Sequence, residues 1–141
     1  MEYSQEEVLA FANNLRKDTL LETLDIEMCE IGVDYLVAKM PVTSRVYQPD
    51  GILHGGATLA LAESVGSFAA HFFVDTEKYI IRGIEISANH VKGVSEGHVY
   101  ARATFEHKGR TTQLFNIRVT DDDDNLISLC KLTTITLPKS E

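Results

Sequence analysis

The chain has 141 residues, enough for one domain with a substantial core. Apolar residues make up 44% and charged residues 24%, with three prolines and nine glycines, a balance that excludes a disordered or collagen-like chain. A formal net charge of −8 argues against nonspecific nucleic-acid binding, which needs a basic face, yet leaves room for a small anion held by a local cationic cluster.

No repeat, low-complexity tract or linker divides the sequence, so residues 1–141 read as a single domain. "MEYSQEE" has neither the basic nor the apolar region of a secretory leader, and the apolar runs fall short of the ~20 residues that cross a membrane. Cys29 and Cys130 lack metal-ligand spacing, which points to a cytoplasmic protein with two free thiols.

In chain order, Ser4 with Glu7 three positions later is a capping box that predicts a short amphipathic helix over about 4–17. "LDIEMCEIG" and "YLVAKMPV" read as two strands around a turn at Gly32-Val33-Asp34. A loop from Thr43 to Leu53, with Pro49, Asp50 and Gly51, leads into a predicted apolar helix over about 55–73. The second half reads as a four-strand meander. "YIIRGIEISANHV" comes first. Val99, Ala101, Ala103 and Phe105 then share one face of the next strand, and Phe115, Ile117 and Val119 repeat the alternation. "LISLCKLTTITL" is the last strand, and short connections predict antiparallel pairing throughout. An α+β fold follows, with one antiparallel sheet curling around one central helix.

That helix raises a chemical question. Between Gly55 and Phe73 the one formal charge is Glu63. At 100° per residue Glu63 shares a stripe with Gly56, Leu59, Ala60, Gly66, Ser67 and Ala70, a face small enough for another backbone to approach. Glu63 at such a contact is expected to be partly shielded from water, as suits acid–base or nucleophilic work. At the helix start, His54-Gly55-Gly56 leaves the first amides open to an anion or a developing oxyanion. Glu63 lies eight residues beyond Gly55, ~12 Å along the axis, too far for both to touch one carbonyl group. Joint action therefore requires the helix start of one subunit and the carboxylate of another, in a site shared across a dimer.

The combination "YQPDGILHGGATLALAESVGSFA", "GIEISANHVKGVSEGHV" and "HKGRTTQ" closely resembles the hotdog-fold acyl-CoA thioesterases, over roughly Leu24 to Leu137. Within them it is similar to the phenylacetyl-CoA and 4-hydroxybenzoyl-CoA thioesterase branch, which includes 1,4-dihydroxy-2-naphthoyl-CoA hydrolases. The resemblance implies that Glu63 is the catalytic carboxylate, as nucleophile or as general base on water, and that the Gly55 amide polarises the thioester carbonyl. It implies a polar pair, Gln48 and His54, near the thioester, and Ser67 orienting water. Coenzyme A phosphates need local cations, for which Arg82, His90, Lys92, Lys108 and Arg110, flanking Gly83 and Gly109, are candidates. It further implies a homodimer or homotetramer that needs no cofactor, coenzyme A being part of the substrate. Phe68, Phe72, Phe73 and Tyr47 are candidates for either the core or an apolar acyl pocket.

Other signals lead nowhere. "DDDDN" fails the calcium-loop pattern because Leu126 and Leu132 stand where Gly and Glu are required. The histidines have no metal spacing, and no G-x-S-x-G elbow is present. The expected reaction is hydrolysis of an acyl- or aroyl-CoA. Its rivals are a thioester hydratase or dehydratase on the same fold and a non-catalytic acyl-CoA sensor.

Overall fold

The computed structural model describes residues 3–140; Met1, Glu2 and Glu141, the outer limits of the domain and leader readings, lie outside it. Helix α1 (Gln5–Asn14) opens as predicted: the Ser4 hydroxyl accepts from the Glu7 amide and the Glu7 carboxylate accepts from the Ser4 amide. It stops three residues short of the predicted end, and a second helical turn, α2 (Leu20–Thr23), follows. Asp18 and Asp25 flank that turn with φ of 59° and 55°, in the left-handed region that aspartate tolerates. Asp25 thereby delays the first strand, which the sequence placed from Leu24.

The strands are β1 (Glu27–Ile31), β2 (Tyr35–Pro41), β3 (Tyr79–His90), β4 (His98–Lys108), β5 (Thr112–Thr120) and β6 (Leu126–Pro138). They form one six-stranded antiparallel sheet in the order β1-β2-β4-β5-β6-β3. The meander holds from β4 to β6 but not at its start. β3 pairs with β6 at the sheet edge, and β4 pairs with β2. The connection 91–97 does not enforce a hairpin, and its seven extended residues reach ~24 Å, ample for the ~14 Å across three strand spacings.

Helix α3 (Gly55–Phe73) packs against β2, β3, β4, β5 and β6. Leu61, Ala62, Val65, Gly66, Ala69 and Ala70 are buried against inward residues that alternation marked: Val99, Ala101, Ala103, Phe115, Ile117 and Val119. Register shifts at Met28/Glu30, Gly83/Glu85 and Phe105/His107 bend the strands around it. The small-residue stripe is divided. Gly66 and Ala70 face the chain's own sheet, whereas Gly56 and Glu63 stay exposed. No helix among the described residues is long and apolar enough to cross a membrane.

At Gly66 an added Cβ would press on the Leu132 side chain and come within 3.1 Å of Ile117 Cδ1. Gly66→Ala should therefore lower the unfolding free energy by about 1–3 kcal/mol, read from the urea midpoint. An unchanged midpoint would show that Leu132 yields without cost.

Candidate active site

The loop before α3 is built to deliver polar groups to the helix start. Gln48 N–H donates to Ile52 O at 2.8 Å, and Gly51 N–H donates to Gln48 O at 2.9 Å. Gly51 at φ +82° makes this tight turn possible. His54 N–H then donates to Val46 O at 2.8 Å, fixing the entry to the helix. His54 is the N-cap residue, and its Nδ1 accepts from Gly56 N–H at 2.8 Å. Ala57 and Thr58 N–H both donate to His54 O. Among the described residues the Gly55 N–H alone in this turn finds no acceptor. It remains an open donor at the positive end of a 19-residue helix.

Gly55 borders a cleft of ≈ 320 Å³ whose walls include Gln48, Thr58, His90, Lys92 and Gly93. His90 Nδ1 lies 3.0 Å from the Ser128 hydroxyl, and a Cβ on Gly55 would stand 2.8 Å from His90 Nε2. Glycine at 55 is therefore what lets the ring and the open amide share this cleft. Gln48 faces it, but His54 borders a separate shallow depression beside Leu20, Leu24 and Arg45. The expected polar pair thus divides to two sides of the helix start within one chain.

The partial shielding expected of Glu63 is not supplied by its own chain. Within one chain it is exposed, and among the described residues its carboxylate has no hydrogen bond or ion pair. Its nearest notable neighbour is Gly83 of β3, where an added Cβ would lie 3.1 Å from Oε1. Covering Glu63 requires something outside the chain. Ser67, one turn further, borders an apolar pocket of ≈ 430 Å³ with Phe68, His71 and Phe72, and Phe11 of α1 and its C-cap residue Leu15 add to the wall. The latter two were missed in the sequence. Their signal is an i, i+4 apolar pair on α1 besides the buried pair Val8 and Ala12. Phe73 instead stacks edge-on against Phe105 at 5.3 Å, and the Tyr47 hydroxyl donates to Ser95 O.

The five candidate cations do not form one cluster. Arg82 aligns with Ile135 and hence with Thr112, at the end of the sheet that carries the β4–β5 hairpin. His90 aligns with Ser128 and Val119 at the other end, and Lys92 is paired with Asp121 at 3.6 Å. Among the described residues Arg82, Lys108 and Arg110 have no carboxylate partner. Lys108 Nζ stands 5.1 Å from the Phe73 ring centre and 5.2 Å from that of Phe105. Gly109 is held so closely that a Cβ would approach Thr112 O and His107 Nε2 at 2.7 Å. Burial pushes the Cys29 and Cys130 thiols up, so neither is a poised thiolate.

Comparison with known proteins agrees with this architecture. Residues 50–128 match the family model of the thioesterase superfamily. The chain belongs to the thioesterase superfamily. A Gln-to-Ala variant of thioesterase PA1618 from Pseudomonas aeruginosa superposes with a TM-score of 0.91 at 40% identity, over 93% of this chain and 94% of that one. The 1,4-dihydroxy-2-naphthoyl-CoA hydrolase of Escherichia coli is 38% identical over 137 residues, 97% of this chain and 100% of that protein. A Staphylococcus aureus protein solved as Glu-to-Ala and Gln-to-Ala variants matches at TM-scores of 0.83 and 0.82, both at 36% identity. Those matches cover 86% and 84% of this chain and 100% and 98% of the variant chains. Membership in this superfamily makes the chain a hydrolase of coenzyme A thioesters, and the hydratase and sensor readings give way to it.

The cap at His54 supports a stability prediction. His54→Ala removes the acceptor of the Gly56 amide and should cost about 1 kcal/mol in thermal or urea unfolding, whereas His54→Asn retains most of it. Equal loss in both variants would assign the stability to ring packing instead.

Proposed function

We propose that the chain hydrolyses an acyl- or aroyl-CoA at a site where the Gly55 amide and Cleft residue Gln48 of one subunit meet Glu63 of another. The observation that carries this reading is the pair of unpartnered groups on one helix, the Gly55 N–H and the Glu63 carboxylate, ~12 Å apart along the axis. The two Staphylococcus aureus variants add weight, because their replaced Gln and Glu are fifteen positions apart, the interval from Gln48 to Glu63.

In this reading the thioester oxygen points at the Gly55 N–H, which strengthens its hold as negative charge develops and contributes ~3 kcal/mol to the transition state. Glu63 acts in one of two ways. As a base it takes a proton from water while the water oxygen bonds to the carbonyl carbon; the C–S bond then breaks and the coenzyme A sulfur takes up a proton. As a nucleophile it bonds to that carbon itself, expels the thiolate, and the resulting anhydride is cleaved by water. A burst of coenzyme A ahead of free acid distinguishes the second route. Ser67, one turn beyond Glu63, lines the apolar pocket and is suited to orienting water. Phe68 and Phe72, with Phe11 and Leu15 on the same pocket wall, suit an apolar acyl or aromatic group. No cofactor is needed, and two free thiols suit a cytoplasmic setting.

The partner follows from the edge of the sheet. β3 is a 12-residue edge strand with Ile84 56% exposed, and Gly83 on it lies beside the Glu63 carboxylate. An edge this long is normally covered. A second copy related by a two-fold axis covers it and brings its own helix start toward Glu63, as a dimer or within a tetramer. Arg82, Gly83, Lys108, Gly109 and Arg110 then receive the coenzyme A phosphates, with Arg82, Lys108 and Arg110 free of carboxylate partners among the described residues. His90 and Lys92 line the thioester cleft, nearer the reacting end.

Two outcomes are expected. Glu63→Ala should lower kcat for an aromatic or aliphatic acyl-CoA by about 10²–10⁴-fold with little change in KM, followed by thiol release; full activity would remove Glu63 from the mechanism. Mixing Glu63→Ala with Gln48→Ala subunits should restore roughly a quarter of wild-type activity, since half the dimers carry one intact site. Mixed dimers that form and stay inactive would confine each site to one chain.

A further inference from the structure

Alternation along β5 puts Gln113 on the same inward face as Phe115, Ile117 and Val119. It is 1% exposed, at a position where a leucine would be expected from the pattern. A buried amide costs stability unless its hydrogen bonds are made. Those of Gln113 are made. Its Oε1 accepts from the Thr134 hydroxyl at 2.8 Å and the Thr136 hydroxyl at 3.2 Å, both threonines being buried in β6. Its Nε2 stands 3.0 Å from the Thr136 hydroxyl and donates to Gly109 O at 3.2 Å. The orientation is unambiguous, because the Gly109 carbonyl accepts and so requires the NH₂ end. One side chain therefore joins β6 to the tip of the β4–β5 hairpin. Two backbone bonds complete the tie, Gly109 N–H to Thr112 O at 2.9 Å and Thr136 N–H to Thr111 O at 2.7 Å.

We propose that Gln113 is a positioning residue that sets the hairpin tip, through Gly109, so that Lys108 and Arg110 meet the phosphates of coenzyme A. This rests on the reading above that the hairpin receives those phosphates. The hairpin cations are long and exposed, and each loses rotamer freedom on gripping an anion. A backbone fixed from beneath leaves only that side-chain cost, which is how rigid support raises affinity without touching ligand. An apolar residue at 113 would fill the same space but leave the Gly109 carbonyl without its donor. The tip would then be held by its backbone bonds alone.

The test compares two thioesters of one acid, the coenzyme A ester and the pantetheine ester, which lacks the terminal phosphates and nucleotide. Gln113→Leu should raise the KM of the coenzyme A ester about tenfold with kcat retained, and leave kcat/KM for the pantetheine ester within about twofold. A parallel fall for both esters, or no change in either, overturns the proposal. If Gln113→Leu does not fold, Thr136→Val, which keeps shape and removes one partner of the amide, is judged by the same split. Arg110→Ala is run beside them. If it raises the coenzyme A KM and the variants at 113 and 136 do not, positioning by Gln113 fails while the phosphate reading stands. If Arg110→Ala and Lys108→Ala both leave that KM unchanged, the hairpin does not hold phosphate and both readings fall.

Discussion

The approach of α3 to the sheet is the constraint on which the rest of the structure depends. Gly66 brings the helix axis so close to β5 and β6 that Leu132 and Ile117 occupy the space of a side chain. Ala62, Ala69 and Ala70 extend this contact, and the strands bend around it at their register shifts. A helix packed this tightly on one side cannot rotate. The exposed flank with Gly56 and Glu63 is fixed along with it, and its first amide is fixed at the mouth of a cleft. The placement of the Gly55 amide and of Glu63 is therefore a consequence of core packing, while the loop before the helix places Gln48 and His54.

Much of this was legible in the sequence, for identifiable reasons. Period-two alternation in β4 and β5 and the capping box at Ser4 are local signals, and both elements form where those signals lie. The uncharged run from Gly55 to Phe73 set the bounds of α3 because a helix wrapped by a sheet has little wet face to charge. Strand order is different in kind. Whether β3 pairs with β4 or with β6 depends on contacts distant in sequence, and a seven-residue connection permits either. The environment of Glu63 is legible only in part within one chain: the stripe was read as one face, but Gly66 and Ala70 turn toward the sheet and Glu63 does not, so its cover depends on a contact with another chain. The division of the cations was likewise hidden, because Arg82 and His90 sit on one strand and only register separates them.

Charge is distributed to match these surfaces. The chain carries a net −8, yet three cations at one end of the sheet, Arg82, Lys108 and Arg110, lack carboxylate partners among the described residues. At the other end Lys92 is engaged by Asp121, whose carboxyl is held below its usual range chiefly by the Asn125 amide and also by Lys92. The acidic loop that mimicked a calcium site is thus occupied with its own geometry. Asp121 Oδ1 accepts from the Asp123 and Asn125 amides, and Asp122 accepts from the His98 amide and the Tyr100 hydroxyl. Acidic total charge does not exclude a local anion site, because charges more than a Debye length, ~8 Å, apart barely sense one another across solvent.

On the proposed reading the same sheet serves two ends of one substrate by different means. Near Gly55 the polar groups are backbone and ring atoms, the open amide and the His90 ring steadied by Ser128, placed for a carbonyl that becomes charged only during reaction. Near Gly109 the groups are full cations on a hairpin, suited to phosphates that are charged throughout. A permanent anion tolerates flexible partners, so rigidity there has to come from beneath, and the buried amide of Gln113 is the one polar side chain of β5's inward face. A transient anion gains most from donors that do not move, and the first turn of a clamped helix supplies that without further support. On that reading, the difference between the buried Gln113 and the buried Gly66 matches the contrast in what each end of the ligand demands.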